Sequence, residues 1–203
     1  MSSPIGHILG ALAVQRSLRP LASRETPSGA EALILVSILA YIPDLDVVLV
    51  WILGDSGAHR GFTHSILFAG ILAVAGTLGY AATVRSWRKV SASATLVLFA
   101  ACLVHPALDI LMGCGPPVAL FAPFSSTAYL APMKFVPTAY FATSPLGILR
   151  LLVFRPSVQG ALLEVWILLP LFLATRPRLS WGWRAPLLLV AATGFAASFV
   201  IYN

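Results

Sequence analysis

Long apolar runs, separated by short arginine-bearing breaks, limit what this chain can fold into more than any other feature. The runs cover residues 32–53, 62–84, 92–112, 160–174 and 185–202. A helix rises about 1.5 Å per residue, so about twenty apolar residues cross the hydrocarbon core of a bilayer. The 203-residue chain is only 10% charged, whereas soluble domains carry about 25%. Its mean hydropathy is +0.90. The expected fold class is therefore all-α: a polytopic membrane protein with about five membrane helices, forming one membrane-embedded domain over 1–203.

A shorter apolar stretch at 5–14 suits a half-span or interfacial helix. Pro4 fits its first turn, and Ser2 or Ser3 can cap it. Residues 1–20 lack a basic start and their apolar run is short, so no cleavable signal peptide is expected. Pro43 lies inside the first long run and breaks it, which a membrane tolerates where the broken helix lines a protein-walled cavity. Residues 113–145 hold Pro116, Pro117, Pro123, Pro132 and Pro137. They read as a loop or re-entrant segment, followed by a short helix at 146–154.

The net charge of +6 would suggest nucleic acid in a soluble protein. Here the basic residues sit between apolar runs, where they act as topology signals and contacts to anionic headgroups; nucleic acid is not an expected partner. Nine of them (Arg16, Arg19, Arg24, Arg85, Arg88, Lys89, Arg176, Arg178, Arg184) fall at one set of helix ends, and four (Arg60, Lys134, Arg150, Arg155) at the other. The positive-inside bias places the first set in the cytoplasm. Cys102 and Cys114 are too few for a disulfide framework.

Against this background the polar residues stand out. An ionisable group at a helix centre costs roughly 2.5–3.5 kcal/mol on insertion scales, while a leucine returns about 0.3–0.6 kcal/mol. Asp44 and Asp46 together therefore cancel on the order of ten leucines, and a metal site is the plainest return for that cost. All four histidines (His7, His59, His64, His105) and three of the seven acids (Asp44, Asp46, Asp109) fall toward one side of the membrane. On the topology above, that side is extracytoplasmic.

His105 and Asp109 are four apart on a helical pattern, share a face, and can reach one ion. Asp44 and Asp46 would point nearly opposite ways on a regular helix. Either the Pro43 break turns both inward, or one binds the ion and the other orients a ligand histidine. A turn at Gly61 can bring His59 and His64 inward together. Arg60 is a candidate clamp for phosphate or carboxylate. Thr63 and Ser65 suit capping or hydrogen bonding, and Glu164 reads equally as a functional intramembrane carboxylate or as a group at the headgroup edge.

The elements Gly6-His7, Pro43-Asp44-Leu45-Asp46, His59-Arg60-Gly61-Phe62-Thr63-His64-Ser65 and His105-Pro106-Ala107-Leu108-Asp109 resemble those of the YdjM-like inner-membrane proteins, described as metal-dependent hydrolases. Gly115, Pro117-Val118 and Pro123-Phe124 are similar to that family's following segment. The resemblance covers about 5–125, leaving C-terminal helices at about 146–203 outside it. The order of ligands is also distantly similar to the zinc-dependent phospholipase C and single-strand-nuclease superfamily. That likeness implies His7, Asp46 or Asp44, His59, His105 and Asp109 as metal ligands. No histidine follows His105, so one or two ions are implied and not three.

Together these readings give a membrane-bound metal-dependent hydrolase of the bacterial or archaeal cytoplasmic (inner) membrane. Its expected substrate is a phospholipid or lipid-linked phosphoester at the extracytoplasmic face. Zn²⁺ suits the mixed ligand set, or Mn²⁺ if carboxylates dominate. The metal candidates are His7, Asp44, Asp46, His59, His64, His105 and Asp109. Asp44 or His64 would take the proton of the attacking water, and Arg60 would hold the phosphate. A metal-ion or proton transporter and a metal-stabilised regulatory membrane protein are the alternatives. The sequence leaves oligomeric state open.

Overall fold

The structure is a computed structural model. It describes residues 3–22, 26–54, 59–87, 90–135, 137, 144, 146–147, 150 and 154–202. These residues form seven α-helices: α1 Pro4–Leu18, α2 Gly29–Tyr41, α3 Val47–Leu53, α4 Ile66–Thr83, α5 Ala92–Leu111, α6 Arg155–Ala174 and α7 Trp181–Tyr202. The only β-type pairing among the described residues is an isolated antiparallel bridge between Val118 and Tyr129. Among the described residues, five helical stretches are long and apolar enough to cross a membrane: Gly29–Leu53, which joins α2 to α3, and then α4, α5, α6 and α7. With α1 at the N-terminus, this is the expected all-helical membrane architecture.

The break at Pro43 is a 3₁₀ segment, Ile42–Asp46, inserted between α2 and α3. It has two local consequences. Residues two apart lie about 160° apart around an α-helix but only about 120° apart at three residues per turn, so Asp44 and Asp46 are both buried. In addition, the 3₁₀ pattern would pair the Ala40 carbonyl with the nitrogen of residue 43, and proline has no N–H to give. That carbonyl is left for another donor.

Three helices differ from their expected extents. α1 starts at Pro4 with Ser3 as its cap, as expected, the Ser3 Oγ accepting from the Gly6 N–H. It runs on past the apolar stretch to Leu18, where Gln15 Nε2 donates to the Pro27 carbonyl and Arg16 to the Phe172 carbonyl. α6 begins at Arg155 with a proline in its first turn, where a missing N–H costs nothing. α7 begins at Trp181, inside a segment expected to be a loop. The helix expected at 146–154 lies largely outside the described residues.

α1 packs against α5, α6 and α2, while α4 lies on α5 and α6 pairs with α7. The approach of α1 to α5 is close. A Cβ on Gly10 would come within 2.8 Å of Val104 Cγ1, so a larger residue would force the Val104 side chain on α5 to shift. Gly6 and Gly10 form the small-xxx-small spacing that lets helix backbones meet in membranes.

Alternation of the helices sends the start of α1, the 3₁₀ break, the start of α4 and the end of α5 to one end of the bundle. Arg16, Arg19, Arg85, Arg176, Arg178 and Arg184 lie at the other end. Between the two ends sits an apolar layer. Val36, Leu39, Ala69, Leu72, Ala73, Leu98, Ala101 and Cys102 are all buried in one cluster. On α5 this layer separates His105 from Thr95, which hydrogen-bonds Thr77 of α4 at 3.1 Å.

Candidate metal centre

Four short segments deliver the polar residues. His7 comes from the second turn of α1, Asp44 and Asp46 from the 3₁₀ break, His59, Arg60 and His64 from the turn before α4, and His105 and Asp109 from the last two turns of α5. All eight side chains are at most 4% exposed.

Two groups have ligand atoms close enough to hold one ion: His7, Asp44, His105 and Asp109, and Asp44, His59 and His64. Asp44 belongs to both. In the first group His7 Nε2 lies 3.6 Å from Asp109 Oδ1 and 3.9 Å from Asp44 Oδ2. His105 Nε2 lies 3.5 Å from Asp44 Oδ1 and 3.8 Å from Asp109 Oδ2. The His7 and His105 rings stack with centroids 3.8 Å apart. His64 Nε2 reaches the same space, 3.3 Å from Asp109 Oδ2 and 3.7 Å from Asp44 Oδ1.

The donor set fits a cation on two grounds. Both oxygens of Asp44 and both ring nitrogens of His7 are buried with no hydrogen-bond partner. Buried polar groups are almost always paired, and the Asp44 carboxylate and His7 Nε2 face one another across 3.9 Å. Charge gives the second ground. Three buried carboxylates (Asp44, Asp46, Asp109) face one buried guanidinium, Arg60. A divalent cation balances that deficit.

Without a cation the deficit falls on histidine. Burial disfavours a charged His64, but the carboxylates of Asp109, Asp44 and Asp46 around its ring outweigh that and raise its pKa well above the ordinary histidine value. His7 goes the other way: burial, aided by His105, pushes its pKa down to about 3. It is thus held as the neutral imidazole that a ligand must be.

The histidines are oriented from behind. His105 Nδ1 donates to the Ala40 carbonyl at 2.8 Å, the carbonyl released by the proline break, so Nε2 carries the lone pair facing the carboxylates. Asp46 serves two histidines at once. Its Oδ1 lies 2.6 Å from His59 Nδ1 and its Oδ2 3.3 Å from His64 Nδ1. Oδ2 also accepts from the Arg60 N–H at 3.1 Å and from Thr63 Oγ1 at 2.7 Å. Of the two arrangements open to the aspartate pair, Asp44 thus sits among the ligand atoms, and Asp46 stands behind two histidines.

Arg60 is not placed as a phosphate clamp requires. Its guanidinium donates to the carbonyls of Cys114 (3.0 Å) and Pro116 (2.8 Å) and to Asp109 Oδ1 (3.2 Å). The side chain has no exposed surface, and the acceptors it meets are protein groups. Its backbone is left-handed, with φ 65°, and its carbonyl accepts from the Ala119 N–H at 3.1 Å. It therefore ties the proline-rich segment to the metal-facing turn. Gly115 lies against this guanidinium, where a Cβ would meet Nη1 at 3.2 Å.

Thr63 and Ser65 hydrogen-bond and cap, as their sequence positions suggest: Ser65 Oγ accepts from the Phe68 N–H at 3.1 Å. Glu164 is inside the membrane-spanning stretch Arg155–Ala174 and not at a headgroup edge. It is fully buried and takes the N–H of Ser3 on both oxygens, at 3.0 and 2.8 Å, together with the Ser3 hydroxyl. Sequence reasoning did not foresee the roles of Ala40, Met112 (whose Sδ lies 3.6 Å from Arg60 Nη2) or the Cys114 and Pro116 carbonyls. Of these only Ala40 had a signal, its position three residues before a proline.

One protein-family model, described as YdjM inner membrane protein, matches residues 1–197. No curated protein and no solved structure matches the chain.

Proposed function

The chain belongs to the YdjM inner membrane protein family, and from that premise we propose that it is a metal-dependent hydrolase of a lipid or lipid-linked phosphoester. The observation that carries this reading is Asp44. It is a buried carboxylate in a membrane-spanning stretch, with both oxygens unpartnered, standing among His7, His105, Asp109 and His64.

In this reading His7, Asp44, His105 and Asp109 hold one divalent ion, Zn²⁺ before Mn²⁺, since two imidazoles and two carboxylates suit it. When bound, such an ion acidifies a water and polarises a phosphoryl oxygen. His64 aims Nε2 at the same space, while Asp46 and Thr63 back its Nδ1 side. His64 Nε2 also lies 3.0 Å from His105 Nε2. With an ion supplying the positive charge in place of the His64 proton, His64 would be free to accept the proton of the attacking water, with Asp46 beside its Nδ1 to stabilise the imidazolium. His59 and His64 with Asp44 offer an overlapping place for a second ion. The arginine distribution supports an extracytoplasmic position for this end of the bundle, from which the substrate would come from the outer leaflet.

The apolar layer favours hydrolysis over transport. An ion path needs polar groups through the membrane, and below His105 the bundle is filled by Leu98, Ala101 and Cys102 with their neighbours on α2 and α4.

The test pairs elemental analysis of purified protein with hydrolysis assays across phospholipids and lipid-linked phosphoesters. Zinc-loaded protein should release phosphoester products, and chelation should abolish them. His105→Ala and Asp109→Ala should each lose the metal. Full occupancy in both variants would show that the ligands lie elsewhere. Metal-dependent ion flux in proteoliposomes, with no product from any substrate, would favour transport.

A further inference from the structure

We infer that Glu164 is a positioning residue for the metal centre: from α6, outside the motif-bearing stretch, it fixes the start of α1 and thereby His7. The inference rests on the metal reading above.

An intramembrane carboxylate buried as deeply as Glu164 requires a reason. Its contacts supply one. Both oxygens accept from the Ser3 N–H, and Oε2 also meets the Ser3 hydroxyl. Ser3 passes the constraint on. Its Oγ accepts from the Gly6 N–H at 3.1 Å, and its carbonyl accepts from the His7 N–H at 3.1 Å. Glu164 therefore reaches the His7 backbone through a single residue. A carboxylate at a helix N-terminus also complements the helix dipole.

His7 depends on this more than its fellow ligands do. His105 is fixed by the Ala40 carbonyl and His64 by Asp46. Neither nitrogen of His7 has a hydrogen-bond partner. Its ring is placed by the backbone that carries it and by stacking on His105. Sites of this kind need their groups held to within about 0.5 Å, and α1 is a separate helix whose position along α5 and α6 sets where His7 lies. The clasp at Ser3 sets that register, so a helix beyond the recognisable motifs completes the centre.

Full-length protein in detergent, loaded with cobalt(II) or zinc, tests this with two readouts other than activity: metal content and the visible absorption of the cobalt form. Glu164→Ala should fall to the metal content of His7→Ala and show the same altered spectrum, with helicity by circular dichroism retained. Glu164→Gln keeps an oxygen for the Ser3 N–H and should retain wild-type content. Tyr80→Phe removes a different interhelical bond, from Tyr80 to Glu31, and should leave metal content unchanged. Wild-type metal and spectrum in Glu164→Ala would overturn the inference, as would equal metal loss in Tyr80→Phe. If Glu164→Ala does not fold, Ser3→Ala decides. It removes the hydroxyl leg of the clasp and should weaken cobalt binding roughly two- to tenfold; unchanged affinity would overturn the proposal. Wild-type protein that binds neither metal would remove the metal reading itself, and this inference with it.

Discussion

Replacing Arg60 by alanine separates a structural guanidinium from one that serves substrate. The side chain makes three hydrogen bonds to oxygen, two to main-chain carbonyls and one to Asp109, with a weaker one to Met112 Sδ, and has no exposed surface. Truncation leaves those acceptors buried without their donor. Breaking a buried charge pair from one side costs about 3–5 kcal/mol. A chain of this size loses roughly 2–4 °C of melting temperature per kcal/mol, so Arg60→Ala should melt about 6–20 °C lower. It should also bind metal more weakly, because Asp109 loses the donor that orients one of its oxygens. Arg60→Gly provides an internal control. The left-handed backbone at φ 65° costs a non-glycine residue roughly 1–2 kcal/mol, so glycine should melt a few degrees above alanine while losing the same contacts. The assay is thermal unfolding in detergent followed by circular dichroism, with elemental analysis of the same samples. An Arg60→Ala protein that melts like wild type and keeps its metal, yet hydrolyses nothing, would refute this reasoning and restore the guanidinium to the substrate.

Two further outcomes are expected. Asp44→Ala should abolish metal binding, whereas Asp46→Asn should retain most of the metal and lose about ten- to a hundredfold in turnover, since it disturbs only the backing of His59 and His64; equal metal loss in the two would make Asp46 a ligand. A single cysteine at position 88 should resist an impermeant thiol reagent applied from outside the cell, and strong labelling there would place the metal-facing end in the cytoplasm.

The membrane class, the spans and the broken helix were legible because each follows from local rules: apolar length for the spans, and a missing N–H for Pro43. Convergence of His7, Asp44, His64, His105 and Asp109 was legible as well, because helix alternation carries them to one end. What each residue does there was not. Asp44 and Asp46 are chemically identical, and only the sequestering of Asp46 by Arg60 N–H, Thr63 and two histidines separates them. Arg60 looked available because a sequence does not reveal that carbonyls from 114 and 116 fold back over it. Glu164 lies 161 residues from Ser3, and no local pattern links positions so far apart.

The apolar layer across the middle of the bundle also has an energetic meaning. Moving one elementary charge through a membrane potential yields about 2.3 kcal/mol per 100 mV, but only if the charge traverses the field. Charges handled at the His105 end stop at Leu98, Ala101 and Cys102. Under the proposed hydrolysis, protons released there, and any ion loading there, would enter and leave through the same face. That chemistry would be electrically silent. Its turnover in vesicles should then be the same with the potential present or collapsed.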